Sequence, residues 1–335
     1  LFGFALNMEV KNVDIAIYDK AQDEYSQKLT RKIISSEYFA LKKNIYSMQE
    51  IEEEFRSGNI KEVLIIEPSF TENLLRNGTS KVQIITDASD PNMANLMTNY
   101  TRSIIQSFQM EEFAIRQGDG IQIIAETRMR NNPELKSVFM FVPGVITIIL
   151  MLVSAMMTSI SIAREKELGT MEVLLVSPIK PIQIIVGKVM PYVLLSFINS
   201  IVILLLSYYV FEMPFSGSMV LLLAEILLFI VMALALGILI STVSNSQQTA
   251  MLLSMFALLL PTILLSGFIF PIKNMPFLLQ MISHVMPPKW FVVIIKGILI
   301  KGAGIEQLWK ETLILVGMTI AFIGLSVKKF KIRLQ

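Results

Sequence analysis

Cysteine is absent from this chain, and histidine occurs once, at His284. The first absence excludes disulfides, thiol catalysis and thiolate metal sites. The second excludes a metal site built from histidines within one chain and leaves a Ser-His-Asp triad a single possible base. No nucleophile pattern lies near His284, so a surface or packing role is its plain reading. Phosphate-binding signals are missing too. Gly187-Lys188 is followed by Val189, and no Gly-x-x-x-x-Gly-Lys-Ser/Thr occurs, so no P-loop cradles a nucleotide here. His-Glu-x-x-His and Gly-x-Ser-x-Gly are absent as well, which counts against an intramembrane protease or a serine hydrolase. A net charge of only +2 argues against a nucleic-acid binder.

What is present is apolar. Hydrophobic residues make up 53% of the chain and charged residues 17%, more apolar and less charged than a soluble domain. The charge is also unevenly placed. Residues 1–137 carry 16 Lys and Arg against 20 Asp and Glu, a net of −4. Residues 138–335 carry 13 against 7, a net of +6. One part therefore reads as a solvated, slightly acidic domain, and the rest as a membrane region with basic residues held on the cytoplasmic side.

The opening run Leu1–Leu6 is apolar and then gives way to Asn7-Met8-Glu9. It is too short to span a bilayer and has no basic n-region or cleavage site. Residues 1–9 read as the outer end of a truncated first transmembrane helix. From 10 to 137 the pattern is that of a small α/β domain with a largely parallel sheet. Val13–Tyr18 alternates as a strand does. Gln22–Phe39 is helical in composition, a strand is predicted near Leu41–Tyr46, and a helix over Gln49–Arg56 stops at Gly58. Val63–Ile66 is a buried-type strand. Ser69 is placed to cap a helix to Arg76 that ends at Asn77-Gly78. Val82–Ile85 is the next strand, and Pro91–Gln117 a longer helix.

Residues 138–335 carry five runs near bilayer length, at 138–162, 182–211, 219–243, 249–270 and 309–327. Between the last two, the segment 271–305 has apolar pieces too short to span, broken by Pro287-Pro288, and reads as a re-entrant or interfacial hairpin. The loop 163–181 carries Arg164, Lys166 and Lys180, with Lys188 just beyond, and the tail carries Lys328, Lys329, Lys331 and Arg333. Both belong in the cytoplasm. Counting spans then puts the α/β domain and the hairpin outside it. The fold class is an α-helical polytopic membrane protein with an inserted extracytoplasmic α/β domain.

Within the loop, Arg164–Glu167 is a compact charged turn, Gly169 permits a break, Thr170 can cap, and Met171–Val176 reads as a short amphipathic helix stopped by Pro178. Such a helix can dock in a partner's groove; the plainer alternative is a solvated loop with anchoring charges. The pattern Arg-Glu-x-Glu-x-Gly-Thr-x-Glu-x-Leu-x-x-Ser-Pro, here Arg164 to Pro178, resembles the loop after the second span of the ABC type-2 permease family. Asn132-Pro133-Glu134-Leu135 with Val142-Pro143-Gly144, and Lys296-Gly297 to Lys301-Gly302, resemble the entry to the second span and the outer helix before the last. The subgroup is the multidrug-type exporters with a large domain between the first two spans.

The resemblance implies six spans in the native chain and export of a hydrophobic or amphipathic substrate. It implies a separate cytoplasmic ABC ATPase that binds ATP and Mg, so that this chain holds no cofactor and is no enzyme. A second permease subunit, identical or related, is implied, with room for a periplasmic adaptor. The setting implied is the bacterial inner membrane. ATPase coupling falls by resemblance on Arg164, Glu165, Glu167, Gly169, Thr170, Glu172, Ser177 and Pro178. Candidate path or gate residues are Glu225, an acid inside a span, Asn199, and the prolines Pro271 and Pro288. For Glu225 a substrate or cation contact and a pairing with a neighbouring helix stand as equal readings; for Asn199 an interhelical hydrogen bond suffices. The rival class is a sensor with an outer α/β ligand-binding domain. Against it, the tail is a short basic stub with no output domain.

Overall fold

A computed structural model describes residues 12–113, 121–170, 181–272 and 275–332. The chain divides into two compact units, Met8–Met140 and Phe141–Gln335 with the first seven residues.

The first unit is an α/β sandwich. Its strands are β1 (Val13–Asp19), β2 (Phe39–Asn44), β3 (Glu62–Ile66), β4 (Thr79–Asp87) and β5 (Gln122–Arg130), in the order β2-β1-β3-β4-β5. Its helices are α1 (Glu24–Ile34), α2 (Met48–Ser57), α3 (Phe70–Asn77) and α4 (Pro91–Phe113). β1 runs parallel to β2 and β3, and β4 parallel to β5; only β3 and β4 are antiparallel. The largely parallel sheet expected from the alternating elements is what forms. Side chains sort by the period of two. Ile15, Ile17, Leu64 and Ile66 face a core completed by Leu29, Phe70 and Phe108. Ala16, Val63 and Ile65 face the other core, with Ile51 and Phe55 of α2.

The helix ends follow local chemistry. Asp23 and Ser26 form a capping box at the start of α1. Gly58 and Gly78 close α2 and α3 in left-handed conformation, at φ 72° and 69°. Ser69 stands at the expected N-cap of α3 but does not cap it through its side chain. Its backbone is itself left-handed, at φ 56°, which turns the hydroxyl away from the helix amides. Strand β5 was not expected. It lies at the sheet edge and alternates polar and apolar residues with Glu126, Arg128 and Arg130 among them, so it lacks the continuous apolar run of β3.

One buried acid stands out in this unit. Glu62 opens β3 and is 2% exposed. Thr86 donates a hydrogen bond to its carboxylate at 2.9 Å, and the Thr101 hydroxyl donates to the other oxygen. Burial pushes its carboxyl up to about 7, against the pull of the two hydroxyls.

The second unit is helical: α5 (Val138–Glu167), α6 (Pro181–Tyr209), α7 (Met219–Val243), α8 (Gln247–Ser254), α9 (Leu260–Leu265), α10 (Phe277–Val285), α11 (Pro287–Leu299) and α12 (Ile305–Ile332). A π turn at Met255–Leu259 joins α8 to α9 in one apolar rod. Among the described residues five helices are long and apolar enough to cross a membrane, and α10 with α11 forms a pair bent by 78°. The bend falls at Pro287-Pro288, with Pro287 opening α11, where its missing N–H costs nothing. The fourth rod ends at Leu265, short of the expected Phe270. Gly267 turns the chain at φ 74°, and the Ser283 hydroxyl closes the Leu265 carbonyl at 2.7 Å.

Close packing sets the bundle. Ala233, Gly237 and Ser241 are buried at four-residue spacing on α7. A Cβ at Gly237 would collide with the Ala155 carbonyl of α5, so the small residues let the two backbones approach. Phe229 of α7 stacks on Phe291 of α11 at 4.0 Å. Thr312 of α12 donates to Glu225 of α7 at 2.6 Å, and Ser326 to the Ala235 carbonyl at 2.9 Å. Residue numbers rise together across these two contacts, so α7 and α12 run parallel.

Candidate functional site

The end of α5 gathers the charged turn. Ala163 is buried, whereas Arg164 and Gly169 are exposed and Leu168 is 62% exposed. Gly169 ends the helix at φ 73°, its amide donating to the Lys166 carbonyl at 3.2 Å. That is the left-handed conformation glycine adopts without strain. Arg164 and Lys166 lie in the last turn, where cations offset the negative end of the helix dipole.

Each of the next three charges meets a different helix. Lys188 of α6 pairs with Glu165 at 2.7 Å. The Thr170 hydroxyl donates to the same carboxylate at 2.5 Å; the helix it was expected to cap lies outside the described residues. Lys166 donates to the carbonyl of Ser241 in the last turn of α7. That carbonyl belongs to the group a helix end leaves without an intrahelical partner. Glu167 accepts from the backbone amide of Gln247 at 2.9 Å and from its side-chain amide at 3.2 Å. Gln247 is the first residue of α8, after the cap Ser246, so the carboxylate sits at the positive end of that helix.

These bonds place the C-terminal ends of α5 and α7 and the N-terminal ends of α6 and α8 on one side of the unit. The C-terminal end of α12 joins them, because α12 runs parallel to α7. Arg164, Lys166, Lys188, Lys328 and Lys329 therefore share one end of the bundle.

The sequence-expected residues divide accordingly. Arg164, Glu165, Glu167, Gly169 and Thr170 come together. Glu172, Ser177 and Pro178, with the expected helix Met171–Val176, lie outside the described residues, as do the Leu1–Leu6 run and residues 1–9. Glu225 is buried between α7 and α12, one oxygen bonded to Thr312 and the other without a partner among the described residues. Asn199 on α6 and Pro271 after α9 are half-buried, and Pro288 at the start of α11 is buried. Among the described residues no hydrogen bond or ion pair links these three to Glu225. Sequence reading missed Ser241, Gln247 and Thr312 as partners, and saw Lys188 only as a break in a hydrophobic run. Ser246 before Gln247 was the one readable signal, as a helix N-cap.

Comparison with known proteins adds an independent line. The family model described as ABC-2 family transporter protein matches residues 1–328. The probable multidrug ABC transporter permease YbhS of Escherichia coli K12 is 32% identical over 340 residues, covering 100% of this chain and 89% of the relative. The probable multidrug ABC transporter permease YbhR of the same strain is 31% identical, covering 93% and 84%. The inner membrane transport permease YhhJ, also of that strain, is 29% identical, covering 95% and 84%. No solved structure matches.

Proposed function

The chain belongs to the ABC-2 family of transporter proteins, and from that premise we propose that it is the membrane subunit of an ATP-driven exporter. It is a multi-pass membrane protein and a transporter permease. In this reading it works in the bacterial inner membrane, and a separate ABC ATPase binds ATP and Mg and hydrolyses the nucleotide. A second permease subunit completes the pathway, and a periplasmic adaptor can extend it. The substrate is hydrophobic or amphipathic, as the printed names of the multidrug relatives suggest.

The observation that carries this reading is the shared end of the bundle, where Arg164, Lys166, Lys188, Lys328 and Lys329 collect. Basic residues at one set of helix ends mark the cytoplasmic side, the side on which an ATPase can reach the exposed Arg164 and Leu168. In this reading the α/β unit lies outside the cytoplasm. Glu225, Asn199, Pro271 and Pro288 stay candidates for the path or gate, with Glu225 reached by substrate only if α7 and α12 part.

Two measurements test the proposal. Cysteines introduced at Glu53 and Lys329, in a chain that has none of its own, should label from opposite sides of the membrane; labelling from one side refutes the topology. A P-loop ATPase should co-purify with the full chain and hydrolyse ATP in reconstituted membranes. A chain that purifies from its native host without any ATPase refutes the exporter reading.

A further inference from the structure

We propose that Glu165, Lys166 and Glu167 form a clamp that ties the end of α5 to α6, α7 and α8, so that displacement of the loop drives three spans together. This rests on the reading that a partner ATPase moves that loop. It reassigns the acidic pair. Resemblance gave Glu165 and Glu167 to the ATPase, whereas their bonds are internal: Glu165 to Lys188 and Thr170, Glu167 to the start of α8. They are positioning residues. Glu167 and Thr170 are exposed, but their side chains are engaged in these bonds; the exposed side chains of Arg164 and Leu168 are the ones offered to the partner.

The geometry makes the clamp a mechanical part. Consecutive helical residues step by about 100°, so three in a row fan across about 200° of the helix surface. Three polar bonds in those directions grip three different neighbours. Two of them act on helix ends, where backbone groups lack intrahelical partners: Lys166 on a terminal carbonyl of α7, Glu167 on the first amide of α8. Charge-assisted bonds of this kind are short and directional. A pull on α5 therefore reaches α8 through one carboxylate. The π turn at Met255–Leu259, where the helix is locally wider, lies only two turns further along the same rod.

The test uses Gln247→Pro. Proline is well accommodated as the first residue of a helix, yet it removes both amides that Glu167 accepts. Environment-sensitive labels are placed on single cysteines at Leu168→Cys and Gln248→Cys, in the permease–ATPase complex, before and after trapping with ATP and vanadate. In the parent chain both labels should respond to trapping. In Gln247→Pro, and equally in Glu167→Ala, the response at 168 should persist while that at 248 falls about tenfold, as when one charge-assisted bond no longer couples two elements. The double variant should be no worse than either single one. The ATPase should co-purify with both. A charge exchange, Glu165→Lys with Lys188→Glu, should restore a response at a label on α6 that Glu165→Lys alone loses. The clamp is refuted if 248 responds in Gln247→Pro as in the parent, if 248 is silent in the parent while 168 responds, or if Glu167→Ala releases the ATPase and Gln247→Pro does not. The last outcome would return Glu167 to the ATPase interface. A parent complex without ATPase instead overturns the exporter reading on which the clamp rests.

Discussion

Glu62→Gln should remove the fall in stability that the α/β unit shows between pH 4.5 and 7. Glu62 is fully buried with two threonine hydroxyls and, among the described residues, no cation hydrogen-bonded or ion-paired to it, and its carboxyl titrates at about 7 instead of 4.5. The folded state thus holds the proton more tightly than the unfolded one. Below pH 4.5 both states are protonated, and the group costs nothing. Between 4.5 and 7 the unfolded chain releases its proton while the folded one keeps it, and stability falls with pH. Above 7 both are ionised and the loss is complete. A shift of this size corresponds to about 3 kcal/mol at roughly 1.4 kcal/mol per unit. Glutamine keeps the shape and an acceptor without the charge. The variant should be equal to the parent or slightly weaker at pH 5, and more stable by about 2–3 kcal/mol at pH 8. Amide hydrogen exchange on the full chain, read at peptides from β3 and α4 and corrected for intrinsic rates, measures this locally. A parent–variant difference that is the same at pH 5 and pH 8 would refute the reasoning.

Three further outcomes are expected. Gly237→Leu should cost about 1–3 kcal/mol or more, because the side chain meets the α5 backbone; Gly317→Leu, with nothing within 4 Å of its Cβ, should leave the thermal midpoint in detergent unchanged, and equal losses would remove the close-packing argument. Thr312→Val deletes the hydroxyl bound to Glu225 and should lower stability by about 1–3 kcal/mol by leaving a buried carboxylate without a donor, read as faster thermal unfolding in detergent; an unchanged rate would mean water already reaches that carboxylate. For Asp23, burial raises the carboxyl, but bonds from Thr71 and Ser26 outweigh it and hold it below its usual value. Its stabilisation is present at neutral pH and lost as pH falls through that lowered value, so Asp23→Ala should cost about 1–2 kcal/mol at pH 7 and almost nothing in strong acid, by hydrogen exchange in α1.

Much of the fold was legible because its signals are local. The alternation of Val13–Tyr18 and the apolar run Val63–Ile66 fall inside β1 and β3, and Met219–Val243 is α7 to the residue. β1 is buried on the face its alternation dictates, whereas β3 and α7 are apolar throughout and were readable from the length and bounds of their runs. β5 was illegible for the opposite reason. An edge strand needs one apolar face and one partner, and β5 is defined by its register with β4, from Thr79 opposite Gln122 to Asp87 opposite Arg130. The early end of the fourth span has a tertiary cause as well. Phe268, Ile269 and Phe270 are still apolar beyond Ser266-Gly267, but Leu264, Leu265, Phe270 and Met275 pack as a cluster of their own, and the Ser283 hydroxyl that closes Leu265 comes from a different helix.

The coupling turn shows where sequence reading stops. A run of alternating charges beside a span reads as solvated anchoring, and on an isolated helix it would be that. Here the helix ends among four others, and three of the four charges find groups that hydrophobicity cannot reveal: the Ser241 carbonyl, the Gln247 amide, a lysine inside an apolar run. Two of these are backbone groups, which carry no residue-type signal at all. The identity of Glu167 therefore matters less than its position, one residue after Lys166 and two after Glu165. Moving the charge by one residue would turn it about 100° around α5, away from the amide at the start of α8. Lys166→Glu with Glu167→Lys keeps composition and net charge. It should nevertheless break both bonds, setting a carboxylate against the Ser241 carbonyl and a cation at the positive end of α8. A composition-preserving swap that behaves like the parent, in expression level and thermal stability, would mean that these charges act through their sum and not through their placement.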